Sequence, residues 1–479
     1  MKKLINKSII LSLILALTAC NDWLNVSPKT DMKAEDLFST EAGFRDALIG
    51  VYALMATNNL YGKNLSYAYL DVLAQYYTSP RGNTSAGYEH NFKNAAAYNY
   101  SETGEESRIL SIWSSHFSAI ANINQALLFI DKNRDVFTSE DIHHIYKGEF
   151  LALRALLHFN VLRLFAPSPM MDNQNGLNAL AIPYVEQYTN IAQPQLTVKE
   201  VLAKIVKDLL AAKDLMRERE IFNESDASSP MYKRSQRMNY YAVTALLARV
   251  RQEKQKLVKE GKLKKSALTE VKEIIGEVDG ENPTSYTLAT SGATATNPMF
   301  QSELIFTLDV QKLQDLSESC FSETSHSDVL LMSEKGKQTI FNASGLENDF
   351  RSSWLTATSS GKEYVLTKYN NMNYIPMFKL SELYLIAAEC AEDEDAYGYL
   401  NKLRNHRGLS SIEHTKDIES YIYQEYRREF LGEGQLFFYY KRKLYDSVGA
   451  EDKVGIEDLK AVYNLPIPTS EIDFGNIKN

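Results

Sequence analysis

One turn-rich segment of the chain combines several tyrosines with polar and charged side chains. A sugar site needs flat apolar faces that stack on the rings, and planar or charged groups that hydrogen-bond the hydroxyls. The segment reads YAYLDVLAQYYTSPRGNTSAGYEHNF, in a chain with 29 tyrosines. Its candidate ligand-binding residues are Tyr69, Asp71, Tyr76, Tyr77, Arg81, Asn83 and Tyr88. For each tyrosine the alternative is a packing role with a hydrogen-bonded hydroxyl.

Tryptophan offers few further platforms, because the chain contains only three. Trp354 lies in the loop-like stretch FRSSWLTATSSGKEY and is a second candidate for ligand binding. Trp113 lies within an apolar helical pattern, so we expect it in the core.

Paired carboxylates in YQEYRREFLGEGQ could suggest a glycosidase. Glu425, Arg428 and Glu429 share one helical face, with Glu433 nearby. The interleaved arginines would keep both glutamates ionised, whereas a general acid needs a raised pKa. We therefore expect a structural role here and predict that the protein is not an enzyme.

Metal and cofactor motifs are missing from the sequence. The eight histidines are scattered, and the adjacent pair His143 and His144 cannot face one ligand on a helix. There is no His-Glu-x-x-His, no Cys-x-x-Cys and no glycine-rich phosphate loop. We expect no cofactor and no metal, although a structural calcium site has no fixed spacing and stays open. The acidic run ECAEDEDAYGY is better interpreted as a solvated helix end.

The N-terminus has the features of an export signal. Three lysines precede a short apolar run, Ile9 to Leu17, which is about half the ~20 residues that a membrane span needs. The run ends in LTAC, which is similar to the bacterial lipoprotein signal. We predict a signal peptide over 1–19, lipidation of Cys20 and a tether over 20–27; the alternative is a buried cysteine in a cleaved leader.

The composition of the mature chain argues against some classes of binding partner. The formal net charge is -9, with 44% hydrophobic and 24% charged residues, and removal of the leader lysines makes the chain more acidic. This charge argues against nucleic acid, which is bound by basic surfaces, and against an anionic lipid surface. Cys320 and Cys390 could bond to each other but show no disulfide framework, and we expect both to be buried thiols.

Long helices must position these side chains. FLALRALLHFNVLRLFAPSPM is apolar nearly all round, which requires neighbours on both sides, and Pro167 ends it. TVKEVLAKIVKDLLAAKDLM begins with a capping box of Thr197 and Glu200. A further helix is predicted just after Pro376, and ELIFTLDV alternates as a half-buried strand with Ile305 as the exception. The stretches 61–103 and 166–195 are long loops, which usually carry function.

Four segments, in order behind the lipoprotein signal, carry a family resemblance. They are GEFLALRALLHFNVLRLFAPSPM, MNYYAVTALLARV, MFKLSELYLIAAECAED with YLNKLRNHRGL, and YQEYRREFLGEGQLFFYYKRK, followed by a terminal YNLPIPTSEID. The chain resembles the SusD/RagB family of surface lipoproteins from Bacteroidetes. In the first segment Ala166 replaces the usual glycine.

The resemblance implies a mainly α fold. Four tetratricopeptide-like helix pairs would pack against a more irregular, loop-rich part with few short strands, although no strict repeat period is visible in the sequence. We expect an N-terminal region over 28–230 with the repeat scaffold and ligand loops. A C-terminal region over 231–479 would complete the same body.

The resemblance also implies a function. Such proteins bind an oligosaccharide, or in some members a peptide, and hand it uncut to a SusC-like TonB-dependent transporter of the outer membrane. By position, Asp71 and either Tyr76 or Tyr77 resemble the ligand-contacting aspartate and aromatic residue of the family. The shortage of tryptophan keeps a peptide or a small acidic sugar open as ligand. A surface hydrolase and a protein-binding repeat adaptor are the competing hypotheses for function.

Overall fold

The structure is a computed structural model of the chain. It describes residues 33–77, 92–222, 224–227, 229–253, 262–291, 297–323, 329–341, 348–414, 417–449, 454–475 and 477. The predictions for the signal peptide, for the tether and for Cys20, Arg81, Asn83 and Tyr88 lie outside the described residues.

Helices make up most of the described chain. In order they are α1 Ala34–Leu37, α2 Glu41–Met55, α3 Tyr69–Leu73, α4 Lys93–Ala96, α5 Thr103–Ile130, α6 Glu140–Phe165, α7 Met171–Gln174, α8 Val198–Met216, α9 Tyr240–Glu253, α10 Lys262–Ile275, α11 Leu313–Phe321, α12 Glu334–Phe341, α13 Leu380–Cys390, α14 Asp393–His406, α15 Ile418–Glu429, α16 Gln435–Lys443, α17 Leu459–Tyr463 and α18 Thr469–Phe474. Short 3-10 turns cover Arg134–Val136, Asn175–Asn178, Arg234–Gln236, Gln301–Glu303 and Phe350–Trp354.

Eight of these helices stack as four pairs along the chain. The pairs are α2 with α5, α6 with α8, α9 with α10, and α13 with α14, and each pair packs on the next. Helix α6 touches both α5 and α8, which explains its apolar circumference. The predicted mainly α, SusD-like fold with four helix pairs is confirmed.

Short strands lie outside the helical stack. They are β1 Leu304–Asp309, β2 Met332–Ser333, β3 Leu355–Ala357, β4 Glu363–Leu366, β5 Tyr374–Lys379, β6 Ser447–Val448 and β7 Val454–Gly455. Three antiparallel sheets join β1 with β5, β4 with both β2 and β3, and β6 with β7.

Strand β1 confirms the predicted strand but not its alternation. All residues from Leu304 to Leu308 are buried, including Thr307 on the expected polar face. Both faces are covered because the turn Arg234–Gln236 and α9 pack against the strand. Glu303 is buried too, and its carboxylate forms an ion pair with Arg407 at 2.7 Å.

Of two predicted helix starts, one is confirmed and the other lies further along the chain than predicted. The Thr197 capping box is present: the Thr197 hydroxyl accepts from the Glu200 N–H, and the Glu200 carboxylate accepts from the Thr197 N–H at 2.8 Å. The helix expected just after Pro376 begins only at Leu380, because Pro376 lies in β5, opposite Thr307 of β1. Proline is tolerated there since β5 pairs on one side only.

One hydrophobic core runs through both predicted regions of the chain. Cys320 and Cys390 are buried thiols, as predicted. The acidic run places Asp393, Glu394 and Asp395 exposed in the first turn of α14, which confirms a solvated helix end. Within the described ranges, none of the helices has the length and apolar character to cross a membrane.

Candidate functional site

Asp71 lies inside the protein and holds a turn of the C-terminal region. Its side chain is fully buried, with 0% exposure, and accepts from the backbone N–H groups of Gly432 at 2.7 Å and Gly434 at 2.9 Å. Both glycines have positive φ, 82° and 67°, a conformation that other residues adopt at a cost. Asp71 therefore joins the two predicted regions of the chain, and its prediction as a ligand contact is corrected to an internal contact.

The described tyrosines of the predicted segment are also interior residues. Tyr69, Tyr76 and Tyr77 are all buried. Tyr76 donates its hydroxyl proton to the Arg427 carbonyl at 2.7 Å, and Tyr77 donates to the Tyr67 carbonyl at 2.9 Å. A ring face that water cannot reach is closed to a sugar as well, so all three residues pack in the interior. The alternative of packing with a hydrogen-bonded hydroxyl is confirmed for Tyr76 and Tyr77.

The prediction that Trp354 binds the ligand is corrected for the same reason, burial. Trp113 is confirmed as a core residue. The Trp354 side chain is 1% exposed, and its indole N–H donates to the Pro298 carbonyl at 3.0 Å. The Lys368 ammonium lies 3.7 Å from the centroid of the Trp354 ring and occupies the face that a ligand would need.

The carboxylates of YQEYRREFLGEGQ form a sealed cluster of ion pairs. Glu425 accepts from Arg351 at 2.8 Å, Arg404 at 2.7 Å and Arg428 at 2.8 Å. Burial alone would raise the pKa of Glu425, but these arginines lower it to about 2. Arginine and lysine neighbours likewise hold the pKa of Glu429 well below its usual range. Buried carboxylates whose ionised form is stabilised by arginines in this way support the predicted structural role of this segment.

An open cleft of about 720 Å³ lies elsewhere, between the C-terminal half of α2, the segment before α9 and the β1–α11 junction. We call it the β1 cleft. Leu308, Val310 and Leu316 supply apolar lining. Its polar lining consists of Tyr52, Asn58, Tyr232, Lys233, Gln236, Arg237, Asp309, Gln311 and Lys312.

A buried glutamate positions one wall of the β1 cleft. Glu149 of α6 accepts from the Tyr52 hydroxyl at 2.5 Å and from Arg234 and Arg237 at 2.8 Å each. Burial would raise the pKa of Glu149, but Arg237 and Arg234 outweigh it and lower the pKa below its ordinary value. The Tyr52 oxygen in turn accepts from the Met238 N–H at 2.8 Å. These bonds hold helix α2 and the segment before α9 at a set distance.

Lys233 enters the cleft from a strained backbone. Its φ is 52°, in the left-handed region that disfavours side chains other than glycine. The next residue, the fully buried Arg234, is held by Glu149 and by Glu220 at 2.6 Å, which keeps this conformation in place. The Lys233 ammonium lies 5.3 Å from the centroid of the half-buried Tyr232 ring. Strain of this kind is frequent at functional sites.

The β1 cleft is equipped for binding. Tyr232 presents part of a ring, while amides, cations and one carboxylate, Asp309, can hydrogen-bond hydroxyls. In the described ranges no group of three or more His, Cys, Asp or Glu side chains is arranged to hold a metal ion.

Sequence reasoning missed the β1 cleft because its polar residues come from three separate segments. The stretch MYKRSQRMN has neither a periodic pattern nor a motif, and Asp309 looked like the polar face of a strand. The usable signal was indirect: Asp309 and Val310 lie at the end of the predicted strand ELIFTLDV. Of the residues predicted from the tyrosine-rich segment, the described ones, Tyr69, Asp71, Tyr76 and Tyr77, do not line the cleft.

Comparisons with known proteins agree with the fold. A family model described as "Starch-binding associating with outer membrane" matches residues 22–251, and a SusD family model matches 336–474. A SusD superfamily protein from Bacteroides thetaiotaomicron superposes with a TM-score of 0.72 at 22% identity, covering 92% of this chain and 99% of that one. A SusD-like carbohydrate binding protein from Bacteroides vulgatus gives a TM-score of 0.70 at 18% identity, covering 91% and 97%.

A laminarin binding SusD-like protein gives a TM-score of 0.66 at 18% identity, covering 92% of this chain and 98% of that one. A search of curated protein sequences gives no significant match. The stacked helix pairs and the accompanying small sheets define a helical-repeat protein with the SusD-like fold. Since the two family models together span most of its length, the chain belongs to the SusD/RagB family.

Proposed function

We propose that this protein is a non-catalytic, cell-surface lipoprotein of the outer membrane that captures an oligosaccharide in the β1 cleft. Its delivery partner would be a SusC-like TonB-dependent transporter. Family membership supports this function, and so does the laminarin binding of a protein with the same fold.

The observation that carries the proposal is the construction of the cleft. Tyr232, Gln236 and Asp309 combine a ring, an amide and a carboxylate around a space large enough for several sugar units. The wall is held by the buried ion pairs of Glu149, so the site is formed before the ligand arrives. Preformed walls favour binding because little ordering is needed.

Isothermal titration calorimetry against a glycan panel that includes laminarin oligosaccharides tests the proposal. We expect Tyr232→Ala to weaken binding of the best glycan by about ten-fold, since a stacked ring contributes on the order of 1 kcal/mol or more. Tyr421→Ala is the matched control, because Tyr421 is a half-buried tyrosine of α15 outside the cleft. Equal affinity of the Tyr232 variant and wild type would place the glycan elsewhere.

The same titration separates the alternatives. A peptide library that binds where no glycan does would favour the RagB-type alternative, a peptide-binding member of the family. Release of shorter products from any polysaccharide would show a hydrolase and contradict the non-catalytic role.

The proposed lipid anchor and the proposed transporter partner are tested by experiments on cells. Labelling with a radioactive fatty acid should mark the wild-type chain and not Cys20→Ser, and protease should reach the wild-type protein on intact cells. Co-purification with a TonB-dependent barrel encoded beside it would support the transport role; a gene neighbourhood without such a barrel would contradict it.

A further inference from the structure

A second, smaller pocket lies against helix α5. Its volume is about 310 Å³. We call it the α5 pocket. Helix α5, the segment 183–193 and the C-terminal helix α18 all contribute to it. Its lining includes Trp113, Phe117, Gln187, Asn190, Ile191 and Glu471.

Buried side chains anchor the base of the segment that borders the α5 pocket. The Val185 N–H donates to His158 Nε2 at 3.0 Å, and the Val185 carbonyl accepts from Asn124 at 2.8 Å. Arg154 donates to the Glu186 carbonyl at 3.2 Å. Three anchors on α5 and α6 therefore hold this segment over the helices and keep the pocket open.

The rim of the pocket presents an isoleucine to solvent. The Ile191 side chain is 70% exposed. Its backbone is braced locally, because its N–H donates to the Thr189 hydroxyl at 3.1 Å and its carbonyl accepts from Gln193 at 3.0 Å. Together with Phe117, which lines the same pocket, this side chain provides apolar surface for a ligand.

Among the described residues that line the α5 pocket, Glu471 is the ionisable one. Burial raises its pKa, while the indole N–H of Trp113 lowers it by a smaller amount. A Cβ at position 475 would lie 2.8 Å from Glu471 Oε2, so Gly475 makes room for the carboxyl group. The remaining polar lining is uncharged and includes the exposed amides of Gln187 and Asn190.

We propose that the α5 pocket is a second ligand site, specific for one or two neutral sugar units. The apolar face of a pyranose would pack on Phe117 and Ile191. Its hydroxyls would bond the amides of Gln187 and Asn190 and the carboxyl of Glu471.

Charge distinguishes this pocket from the β1 cleft. The cleft carries the cations Lys233, Arg237 and Lys312, whereas no lysine or arginine lines the described part of the α5 pocket. An anionic ligand would meet only the carboxyl group there and is disfavoured. Amides and hydroxyls match the donor and acceptor pattern of neutral sugars, and the volume limits the ligand to a short one.

The test uses the position of Trp113 beside the pocket. The mature chain is labelled with 5-fluorotryptophan, its three 19F resonances are assigned by Trp→Phe substitutions, and maltose, cellobiose and laminaribiose are titrated to about 10 mM. We expect at least one disaccharide to shift the Trp113 resonance saturably and to leave Trp354 unmoved. Gln187→Ala and Asn190→Ala should each weaken this binding by about five-fold.

Tyr232→Ala is the matched control, because it alters the β1 cleft and leaves the α5 pocket intact. It should not change the disaccharide titration, so failure of one site does not imply failure of the other. The proposal is overturned if none of the disaccharides shifts the Trp113 resonance. It is also overturned if the dipeptide Gly-Lys shifts it and Glu471→Gln abolishes that shift, because the ligand would then be an ammonium group.

Discussion

The sealed ion cluster around Glu425 and Glu429 and the wall of the β1 cleft use the same side chains for different purposes. Each contains at least one buried glutamate that accepts from two or more arginines: Glu425 and Glu429 in the cluster, and Glu149 in the wall. In the cluster all partners are buried, so the charges cross-link α14, α15, β5 and the turn at Arg351 without facing solvent. In the cleft, Arg237 is partly exposed and the adjacent Lys233 reaches solvent. The two regions therefore differ in solvent access and not in residue type, and only the open one can take part in the proposed binding.

Glu429→Gln should have the largest effect on stability, and it tests the buried ion cluster. The substitution leaves Arg351, Arg407 and Lys379 buried around a neutral group. We expect a loss of about 3–5 kcal/mol in the free energy of unfolding, measured by denaturant titration. Glu419→Gln, at a 61% exposed position, is the control and should cost less than about 1 kcal/mol. An equal loss for both variants would contradict the role of burial.

Asp71→Asn should cost about 2 kcal/mol of unfolding free energy. The amide NH₂ would face a backbone N–H of Gly432 or Gly434, so one buried donor loses its acceptor. Folded protein should retain its glycan affinity by calorimetry, because Asp71 is fully buried. Unchanged stability together with lost affinity would restore Asp71 as a ligand contact.

His158 should make the protein less stable in mild acid. Burial lowers the pKa of His158 to about 3, so below the ordinary pKa of 6.5 the unfolded chain binds a proton that the folded chain does not. Stability should fall by about 2 kcal/mol between pH 7 and pH 5 from this residue alone. His158→Gln should show a smaller fall over the same range in thermal unfolding; an identical fall would assign the acid sensitivity to other groups.

Lys233→Gly should have the smallest effect on stability, and it tests the solvent-exposed β1 cleft. Glycine adopts the positive φ of this position without strain, so the folded protein should gain up to about 0.5 kcal/mol in thermal unfolding. Glycan binding should weaken, because the cleft loses a cation. A destabilised variant would show that the Lys233 side chain supports the fold instead of the ligand.

Local patterns predicted those parts of the molecule that depend on near neighbours in sequence. The capping box at Thr197 and the end of α6 before Pro167 were visible because both depend on residues within one helical turn. The helix start at Leu380 was misplaced, since pairing of β5 with the distant β1 overrode the local preference. The same limit applies to the tyrosine-rich segment, whose packing partners Arg427 and Gly432 lie 351 and 361 residues away.

The amino-acid sequence by itself was enough to predict the main helices, the family and the structural role of the Glu425–Glu429 pair. It also carries the predicted export signal. One of the arginines that bind these carboxylates, Arg428, lies between the two glutamates in the sequence. The lowering of the glutamate pKa could therefore be inferred from the sequence. Only the tertiary structure decided which aromatic residues face solvent and where open space remains. Exposure and cavities depend on how separate segments pack, and no short pattern encodes the shape left between them.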